Sequence, residues 1–342
     1  MLTHDRLDTI LARAPELRVA VIGDFFLDKY LVLDPALAEV SLETGRTAHQ
    51  VVDVRCSPGA AGTVTSNLAA LGVGRIEAIG VIGLDGEGDD LLRGLAATGV
   101  RTDRLDRRTD RRTPTYMKPM RREADGEVET ERLDIKNRKP MPVEAEAGVI
   151  ERLRALCAAG GADAVIVADQ VQERNHGVIT DTVRAAIARL AVEHPRLILL
   201  ADSRARIGEF RAVCIKPNRA EAAGALGTEE PESPADTARV GLSLAAASGR
   251  TAFVTMGPQG IVVCEPGGLW THVPTRPATG PIDIVGAGDS TTAGIVTALC
   301  AGASPAEAAA MGNLCASVTI RKLGTTGTAS PAELRATLAA GA

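Results

Sequence analysis

Aromatic side chains are scarce in this chain of 342 residues, which contains one Trp, two Tyr and four Phe. Its net charge is also small and negative, at -5 with neutral histidines. Proteins that bind single-stranded nucleic acid combine stacked aromatic rings with a basic groove, and binding to an anionic membrane surface also depends on positive charge. The composition therefore argues against both kinds of partner.

Cysteine and histidine patterns typical of metal sites are also missing. The six cysteines are scattered, include no C-x-x-C pair and mostly lie within apolar runs, so we expect free buried thiols. Four histidines lack the spacing of metal ligands, and we expect them at surface or capping positions: His49, His176, His194 and His272.

Targeting and membrane signals are absent from the pattern as well. The first 18 residues, MLTHDRLDTILARAPELR, carry too many charges for a signal peptide. The most apolar region, 293–320, is interrupted by GASPAE, so neither half is long enough to span a bilayer. We expect a soluble, cytoplasmic protein.

Short apolar runs rich in β-branched residues alternate with segments of helical spacing. Runs of this kind suit strands that are buried on both faces of a sheet, and the alternation predicts an α/β fold with a mostly parallel sheet. The expected strands are 18–24, 76–83, 163–169, 197–202, 212–218 and 251–257, and the expected helices are 62–72, 87–98, 143–159, 177–193 and 234–248.

Two stretches, 28–57 and 110–135, break this alternation. The first mixes β-prone pieces with polar turns, and the second is charged, with ADGEV typical of a turn between strands. They are either long surface loops or the strands of a small lid over the sheet. We favour the lid, because loops of this length in a compact domain usually have a function. The run RRTDRR (107–112) is expected on a solvated face.

Polar residues end several of the expected strands: Asp24, Asp169, Asp202 and Asn218. One such residue alone is more typical of a helix cap or a turn. Ligands of open α/β sheets bind at the carboxyl ends of the strands, so several of these residues together predict a site at that edge.

The segment DIVGAGDSTTAG (283–294) is a glycine-rich turn that leads into a helix. The free amides at a helix N-terminus form a pocket for negative charge. Asp289, beside that pocket, is placed to accept a proton from an attacking hydroxyl. Asp289 is alternatively an ordinary helix N-cap, and the turn alone favours that interpretation.

Three further segments carry polar or small residues at a strand end. In KPNRAEAAGALG (216–227), Asn218 and Glu221 suit either water-mediated Mg²⁺ or a capping box. VTMGPQGIVV (254–263) predicts a hairpin. GDFFLDKY (23–30) carries Asp28, which is either a ligand of sugar hydroxyls or a surface residue. The small residues of SPGAAG (57–62) permit either the close approach of a ligand or the tight packing of a helix on a strand.

The order and spacing of these segments resemble the ribokinase-like (PfkB) family of carbohydrate kinases over essentially the whole chain. Within that family, GDFFLDKY, RLDIK (132–136) and RKLGTTGTASPAEL (321–334) look most like the branch that phosphorylates D-glycero-β-D-manno-heptose 7-phosphate at its anomeric hydroxyl. The resemblance implies a single three-layer α/β/α domain over 1–342 with a small β-lid inserted from about 28–57 and 110–135, which in several members also forms a homodimer contact.

The resemblance further implies ATP as the donor, Mg²⁺, and in many members a monovalent cation such as K⁺. The implied catalytic group is Asp289 as base with an anion hole at Gly286, Ala287 and Gly288. Nucleotide and Mg²⁺–phosphate binding is implied for Asn218, Glu221, Arg204, Thr255, Gly257 and Gly260. Contacts to the acceptor sugar are implied for Asp28, Gly59, Thr63 and Asp169. The monovalent cation site is implied at Asp283, Val285 and Gly324, with the loop 321–325.

Two departures from the family pattern leave the acceptor open. Where heptose kinases carry P-G-G-A-A-N, the chain has Ala60 and Thr63 in place of a glycine and an asparagine, and the segment 168–177 lacks the tyrosine of D-Y-x-K-G. A hexose or a nucleoside is therefore an alternative acceptor, and a non-catalytic nucleotide- or sugar-binding protein is an alternative class. Side chains that can reach a phosphorylated acceptor from the lid are Arg111, Lys118 and Arg121.

Overall fold

The strands form largely where the apolar runs predict them. This computed structural model describes residues 2–124, 126–275, 278–324 and 326–340. Within those ranges the strands are β1 (Arg18–Gly23), β2 (Phe25–Val40), β3 (Thr47–Ala60), β4 (Arg75–Gly83), β5 (Arg101–Arg108), β6 (Thr115–Glu123), β7 (Gly126–Glu129), β8 (Leu133–Ile135), β9 (Ala164–Asp169), β10 (Ile198–Ser203), β11 (Cys214–Ile215), β12 (Ala252–Thr255), β13 (Ile261–Cys264) and β14 (Trp270–Val273).

The helices of the same ranges lie between these strands and after the last of them. They are α1 (His4–Arg13), α2 (Ala61–Ala70), α3 (Gly86–Ala97), α4 (Val143–Ala158), α5 (Asp181–Glu193), α6 (Arg219–Leu226), α7 (Pro234–Ser248), α8 (Ala287–Cys300), α9 (Pro305–Thr319) and α10 (Pro331–Ala339).

The larger sheet has the strand order β14-β13-β12-β11-β10-β9-β1-β4-β5. Neighbouring strands from β12 to β5 pair in parallel, whereas β13 and β14 add an antiparallel edge. The predicted mostly parallel sheet is thus confirmed. The carboxyl ends of its parallel strands meet at one edge, where a ligand site is expected.

Helices cover both faces of this sheet. In β1, Val19 and Val21 join a core formed with α1, α2, α3, α8, α9 and α10. Ala20 and Ile22 point to the opposite face and join a core formed with α4, α5, α6 and α7. All four side chains are at most 1% exposed, which explains why this strand is apolar without alternation. The predicted three-layer α/β/α architecture is confirmed.

A second, smaller sheet is formed by the two stretches that interrupt the alternation. Its strand order is β3-β2-β6-β7, and β8 pairs with β6. It begins at Phe25, directly after Asp24, which is the one residue between β1 and β2. The strands β2 and β6 run parallel from Leu27↔Thr115 onward. We call this sheet the lid; Asp125 within the expected range 110–135 lies outside the described residues.

Two elements differ from the sequence prediction. Strand β5, RTDRLDRR, pairs with β4 at the sheet edge, although its charges predict no strand. Edge strands tolerate charge because one side of their backbone stays in water. Helix α5 begins at Asp181 rather than at 177, because Thr180 caps it and the preceding residues form a loop. Across the described ranges, the helices lack the length and apolar character needed to cross a bilayer.

Candidate active site

The first turn of α8 lies at the carboxyl edge of the sheet and carries Asp289. Its N-cap is Gly286, in the left-handed region at φ 79°, and the described side chains make no capping bond to it. A side chain at Gly286 would also meet the Thr326 methyl group at 2.5 Å, so both conformation and space require glycine. Asp289 is the third helical residue and does not cap the helix, so the helix-cap alternative is wrong.

The amides of this turn are only partly free. The Ala287 N–H donates to the Ile284 carbonyl at 3.1 Å. Of the three residues expected to form an anion hole, Gly286 and Gly288 have no amide bond of this kind among the described residues. The helix dipole adds positive potential at the same point. The turn can therefore bind negative charge chiefly through two amides.

A buried ion pair lies beside the turn. Asp202, at the end of β10, pairs with Lys216, after β11, with 2.8 Å between Oδ2 and Nζ. Both residues are at most 9% exposed, and the Lys216 Nζ lies 3.7 Å from where a side chain on Gly288 would begin. Burial lowers the pKa of Lys216, but Asp202, Glu221 and Asp289 raise it above its ordinary value overall. The lysine therefore stays charged at the mouth of α8.

The carboxyl group of Asp289 has a strongly raised pKa. Asp289 is half-buried, and its removal from water, followed by the nearby charge of Asp202, raises its pKa to about 7. Lys216 and Arg204 act in the opposite direction. A carboxyl group with a pKa near the working pH suits a general base.

Asn218 and Glu221 form a capping box at the start of α6. The Asn218 N–H donates to Glu221 Oε2 and the Glu221 N–H donates to Asn218 Oδ1, each at 2.8 Å. Burial, and then Asp202, raise the pKa of Glu221. The described residues contain no group of three or more His, Cys, Asp or Glu arranged to hold a metal ion. The capping alternative is present, and the Asn218 bond uses only Oε2 of the Glu221 carboxylate.

The hairpin predicted at 254–263 is present, with β12 and β13 antiparallel. Thr255 pairs with Asn218 in an isolated bridge, so these two expected nucleotide residues lie together. Gly257 and Gly260 have φ values of 56° and 95°, and a Cβ on Gly260 would meet the Val273 carbonyl at 2.2 Å. The backbone conformation alone therefore explains why both positions are glycine, without any contact to a nucleotide.

A cavity of about 300 Å³ lies beside this hairpin. It lies between the end of β14, at Val273, and helices α9 and α10, of which α9 contributes Asn313, Leu314 and Ser317. Its apolar walls and few polar groups suit the flat base of a nucleotide. Sequence reasoning missed these α9 residues, because their helical spacing gives no signal beyond a helix.

A second cavity, which we call the lid pocket, lies between the lid and the central sheet. It has a volume of about 120 Å³ and its basic side chains are Arg111, Arg132, Lys136 and Arg204. Arg132 stacks on the Tyr116 ring, 4.5 Å from its centroid. Arg204 donates to the Gln170 side chain at 3.0 Å. Asp24 and Glu173 line it as well, so basic side chains outnumber acidic ones in its wall.

Asp28 and Gly59, two of the residues expected to contact the acceptor sugar, lie together where β2 pairs with β3. A side chain on Gly59 would begin 2.5 Å from Asp28 Oδ2, so glycine makes room for that carboxylate. Asp28 is 8% exposed and pairs with Lys118, with 3.3 Å between Oδ1 and Nζ. Thr63 is buried, and its methyl group faces Gly286. Thr63 thus lies against the turn that begins helix α8.

Asp169 is placed differently from the expectation. It is 1% exposed and accepts bonds from Ser203 Oγ at 2.6 Å and Arg206 Nη2 at 2.8 Å. Both of its oxygens are engaged by the protein, so the geometry gives no support to a direct sugar contact. The Arg206 guanidinium also donates to the carbonyls of Val171 and Gln172. Asp169 therefore helps to hold the pocket wall.

That wall is the loop 170–178, which is fixed mainly by Asp24. The carboxylate of Asp24 accepts bonds from the amides of Gln170, Val171 and Val178 at 2.9, 3.1 and 2.7 Å. Its burial, and then the charge of Asp169, raise its pKa to about 6. Three amide bonds to one buried carboxylate make the wall rigid.

The expected lid cations divide between the pocket and the surface. Arg111 lines the pocket, but its guanidinium donates to the carbonyls of Lys139, Pro140 and His176. Arg121 is exposed and pairs with Glu123 at 2.6 Å. Arg132 and Lys136, from the segment RLDIK, also line the pocket, whereas Lys118 and Arg121 do not.

Comparison with known proteins agrees with this geometry. Residues 27–333 match the family of pfkB carbohydrate kinases. The chain belongs to this family. Its relative, the bifunctional protein HldE of Trichlorobacter lovleyi, is 30% identical over 345 residues, which cover 96% of this chain and 64% of HldE. The pfkB chain thus spans just under two thirds of that relative.

Solved structures share the fold of this pfkB chain. Ribokinase of Arabidopsis thaliana, solved with ribose and ATP, has a TM-score of 0.68 at 17% identity, covering 94% of this chain and 98% of its own. Phosphofructokinase-2 of Escherichia coli, solved with potassium, has a TM-score of 0.69 at 17% identity, covering 95% and 99%.

At the monovalent cation site expected in this pfkB chain, one carboxylate oxygen of Asp283 accepts a hydrogen bond from the protein. Asp283 Oδ1 accepts the Val285 N–H at 3.0 Å, and the Asp283 N–H donates to the Ile320 carbonyl at 2.8 Å. Gly324 is left-handed at φ 67°, and Thr325 of the loop 321–325 lies outside the described residues.

Proposed function

We propose that this chain transfers the γ-phosphoryl group of ATP to a hydroxyl group of a phosphorylated sugar. The observation that carries the proposal is the carboxyl group of Asp289. It is half-buried at the N-terminus of α8, does not cap that helix and has a pKa of about 7. A group of that kind takes a proton from an attacking hydroxyl near neutral pH. Membership of a sugar kinase family supports the same reaction.

The chain's own residues divide the work of phosphoryl transfer. Asp289 accepts the hydroxyl proton, while the amides of Gly286 and Gly288 and the ammonium of Lys216 stabilise charge on the transferring group. Positioning and charge stabilisation supply most of the acceleration in reactions of this class. Closure under the lid keeps water from competing with the sugar.

Nucleotide and metal binding are assigned to the groups around the hairpin. We assign the base to the cavity beside α9 and, from the family resemblance, Arg204 to the ATP phosphates. Mg²⁺ bound with ATP neutralises phosphate charge when present. The second carboxylate oxygen of Glu221, which the capping bond does not use, suits a hydrated Mg²⁺, because this ion keeps most of its water and takes few protein ligands.

A phosphorylated acceptor is favoured by the charge of the pocket. Arg132 and Lys136, from the segment 132–136, line the lid pocket, which we assign to the acceptor. Arginine binds phosphate through two parallel hydrogen bonds. Arg132 also pairs with Asp134, at 2.8 Å between Nε and Oδ1, so a phosphate would compete with that carboxylate. The sequence resemblance to heptose 7-phosphate kinases supports a phosphorylated acceptor.

Assembly is proposed to involve the outer part of the lid. Large apolar side chains are exposed there, namely Leu37, Val40, Leu42, Val51 and Val54. Exposed apolar patches of this kind mark interaction sites, and a second copy of the chain is the occupant that the family resemblance implies. We propose a homodimer through the lid, in the cytoplasm.

The proposal is tested by ADP release with paired acceptors. Each pair consists of a sugar and its terminal phosphate ester, and the panel includes heptose, hexose and nucleoside members. We expect turnover with a phosphorylated sugar and a loss of about 10- to 100-fold in kcat/KM for the same sugar without phosphate. Arg132→Gln should remove that preference, whereas Arg122→Gln, on the exposed end of β6, should keep it. Equal rates for both members of every pair would contradict the proposed acceptor.

A further inference from the structure

Tyr116 lies on the face of the lid that borders the lid pocket. It is the register partner of Asp28 on β2 and of Asp134 on β8. Such partners on neighbouring strands lie about 4.8 Å apart and point to the same face of the sheet. One row across the lid therefore carries the carboxylate expected to bind sugar hydroxyls, then the phenol, and then the strand that follows Arg132.

Two neighbouring side chains hold the ring of Tyr116. Phe26 packs edge-on against it, with 5.2 Å between the ring centroids and 77° between the ring planes. The Arg132 guanidinium lies 4.5 Å from the centroid of the same ring. Phe26, Tyr116 and Arg132 all line the lid pocket. The protein itself therefore sets the position of this ring at the pocket wall.

The hydroxyl of Tyr116 is available to a ligand. Within the described ranges, no side chain or backbone group shares a hydrogen bond with it, although the residue lines the pocket. Burial raises the pKa of Tyr116 above its ordinary value, and Arg204 acts in the opposite direction. The phenol thus keeps its proton near neutral pH and can donate a hydrogen bond to an anionic oxygen.

Two cationic donors of the same pocket are engaged by the protein. Arg132 donates to both oxygens of Asp134, at 2.8 and 3.0 Å. Arg111 donates to three backbone carbonyls. A phosphate can bond to the Tyr116 hydroxyl without displacing any of these hydrogen bonds.

We propose that Tyr116 is a specificity-determining residue whose hydroxyl donates a hydrogen bond to the terminal phosphate of the acceptor. Asp28, one strand away, accepts hydrogen bonds from the sugar hydroxyls of the same molecule. A free sugar leaves the phenol hydroxyl without this anionic partner and gains nothing from it. The inference rests on the proposed function for the identity of the acceptor, but its binding measurements do not depend on turnover.

The first experiment uses the small number of tyrosines in the chain, which are Tyr30 and Tyr116. The full chain is labelled with fluorotyrosine, and its two fluorine NMR resonances are assigned with Tyr30→Phe and Tyr116→Phe. The probes are heptose 7-phosphate and mannose 6-phosphate, each compared with its free sugar in the absence of nucleotide. We expect the Tyr116 resonance to shift with at least one of the phosphate esters and to stay in place with the free sugar.

The second experiment measures the Kd of the same probes by calorimetry. Tyr116→Phe keeps the ring beside Phe26 and Arg132 and removes only the hydroxyl, so its melting temperature should match that of wild type. Its Kd for the phosphate ester should rise by about 10- to 100-fold, the cost of a lost hydrogen bond to a charged group. Its Kd for the free sugar should not change.

The matched control is Tyr30→Phe, which removes the other phenol hydroxyl of the lid, a group that accepts a hydrogen bond from Lys118 at 3.4 Å. This variant should keep the wild-type preference for the ester. A Tyr116→Phe variant that binds the ester as tightly as wild type, or that loses ester and free sugar equally, would overturn the inference. So would a Tyr116 resonance that moves alike with ester and free sugar, or with neither. If an ester binds at Tyr116 and no sugar is phosphorylated, the proposed function fails and the role of Tyr116 stands.

Discussion

Replacing Asp289 by asparagine should separate catalysis from stability. The change keeps the shape of the side chain and removes its negative charge and its basicity. We expect kcat to fall by about 10²- to 10⁴-fold, the usual contribution of a general base. We also expect the folded protein to become more stable at pH 8, because burial, and then the charge of Asp202, disfavour the charged form of the carboxyl group.

The size of the stability gain follows from the pKa of Asp289. This pKa rises from 3.8 to about 7 on folding, and such a shift corresponds to a ceiling of about 4 kcal/mol. Residual contact with water lowers the expected gain to about 1–2 kcal/mol. A raised carboxyl pKa destabilises the fold only where the group is charged. The gain should therefore be complete above pH 7 and vanish as the pH falls towards 4.

Urea unfolding at pH 8 and at pH 4.5 measures this difference, with Asp103→Asn as the control at an exposed site of β5. ADP release under saturating acceptor measures kcat. In wild type, kcat/KM should decline below about pH 7 as the base is protonated. An Asp289→Asn variant that is less stable than wild type at pH 8, or that retains turnover, would refute the reasoning.

Three further changes test the surrounding groups. Lys216→Met should raise the pKa of Asp289 by about one unit and move the acid limb of the pH–rate profile upward; an unmoved limb would exclude the coupling. Arg132→Gln should raise KM for a phosphorylated sugar by about 10- to 100-fold and leave the unphosphorylated sugar unaffected; equal losses would point to general damage. Asp24→Asn should raise the KM for the acceptor by about 10-fold, because the single oxygen of an amide cannot accept all three N–H groups that hold the loop 170–178. In wild type the KM for the acceptor should rise below pH 6 as Asp24 is protonated. A KM that does not change with pH would contradict this role.

Much of the fold could be predicted because buried strands carry an unambiguous pattern. The run RVAVIG of β1 is apolar on both faces, as a central parallel strand must be. The charged strand β5 has no such pattern. It can form because it lies at the sheet edge, where charged side chains reach water, and its composition gives no sign of this position. The start of α5 was misplaced because Asp24, distant in sequence, holds the preceding loop.

The site was predictable where one short segment carries the chemistry. The turn before Asp289 has its glycines and carboxylate side by side in the sequence. The pair of Asp202 and Lys216 was not predicted, because it forms only when β10 and β11 lie next to each other. Asp169 ends a strand at the correct edge, yet Arg206 engages it, a contact that no local pattern reveals.

The most direct test of the proposed reaction follows the phosphoryl group itself. Wild type and Asp289→Asn are incubated with ATP labelled in the γ-phosphate and a phosphorylated sugar, and the label is traced by mass spectrometry. We predict that wild type places the label on the sugar, in step with ADP release, and that the variant places almost none there. Label found in inorganic phosphate or on the protein, or equal transfer by both proteins, would contradict the assignment of a sugar kinase with Asp289 as its base.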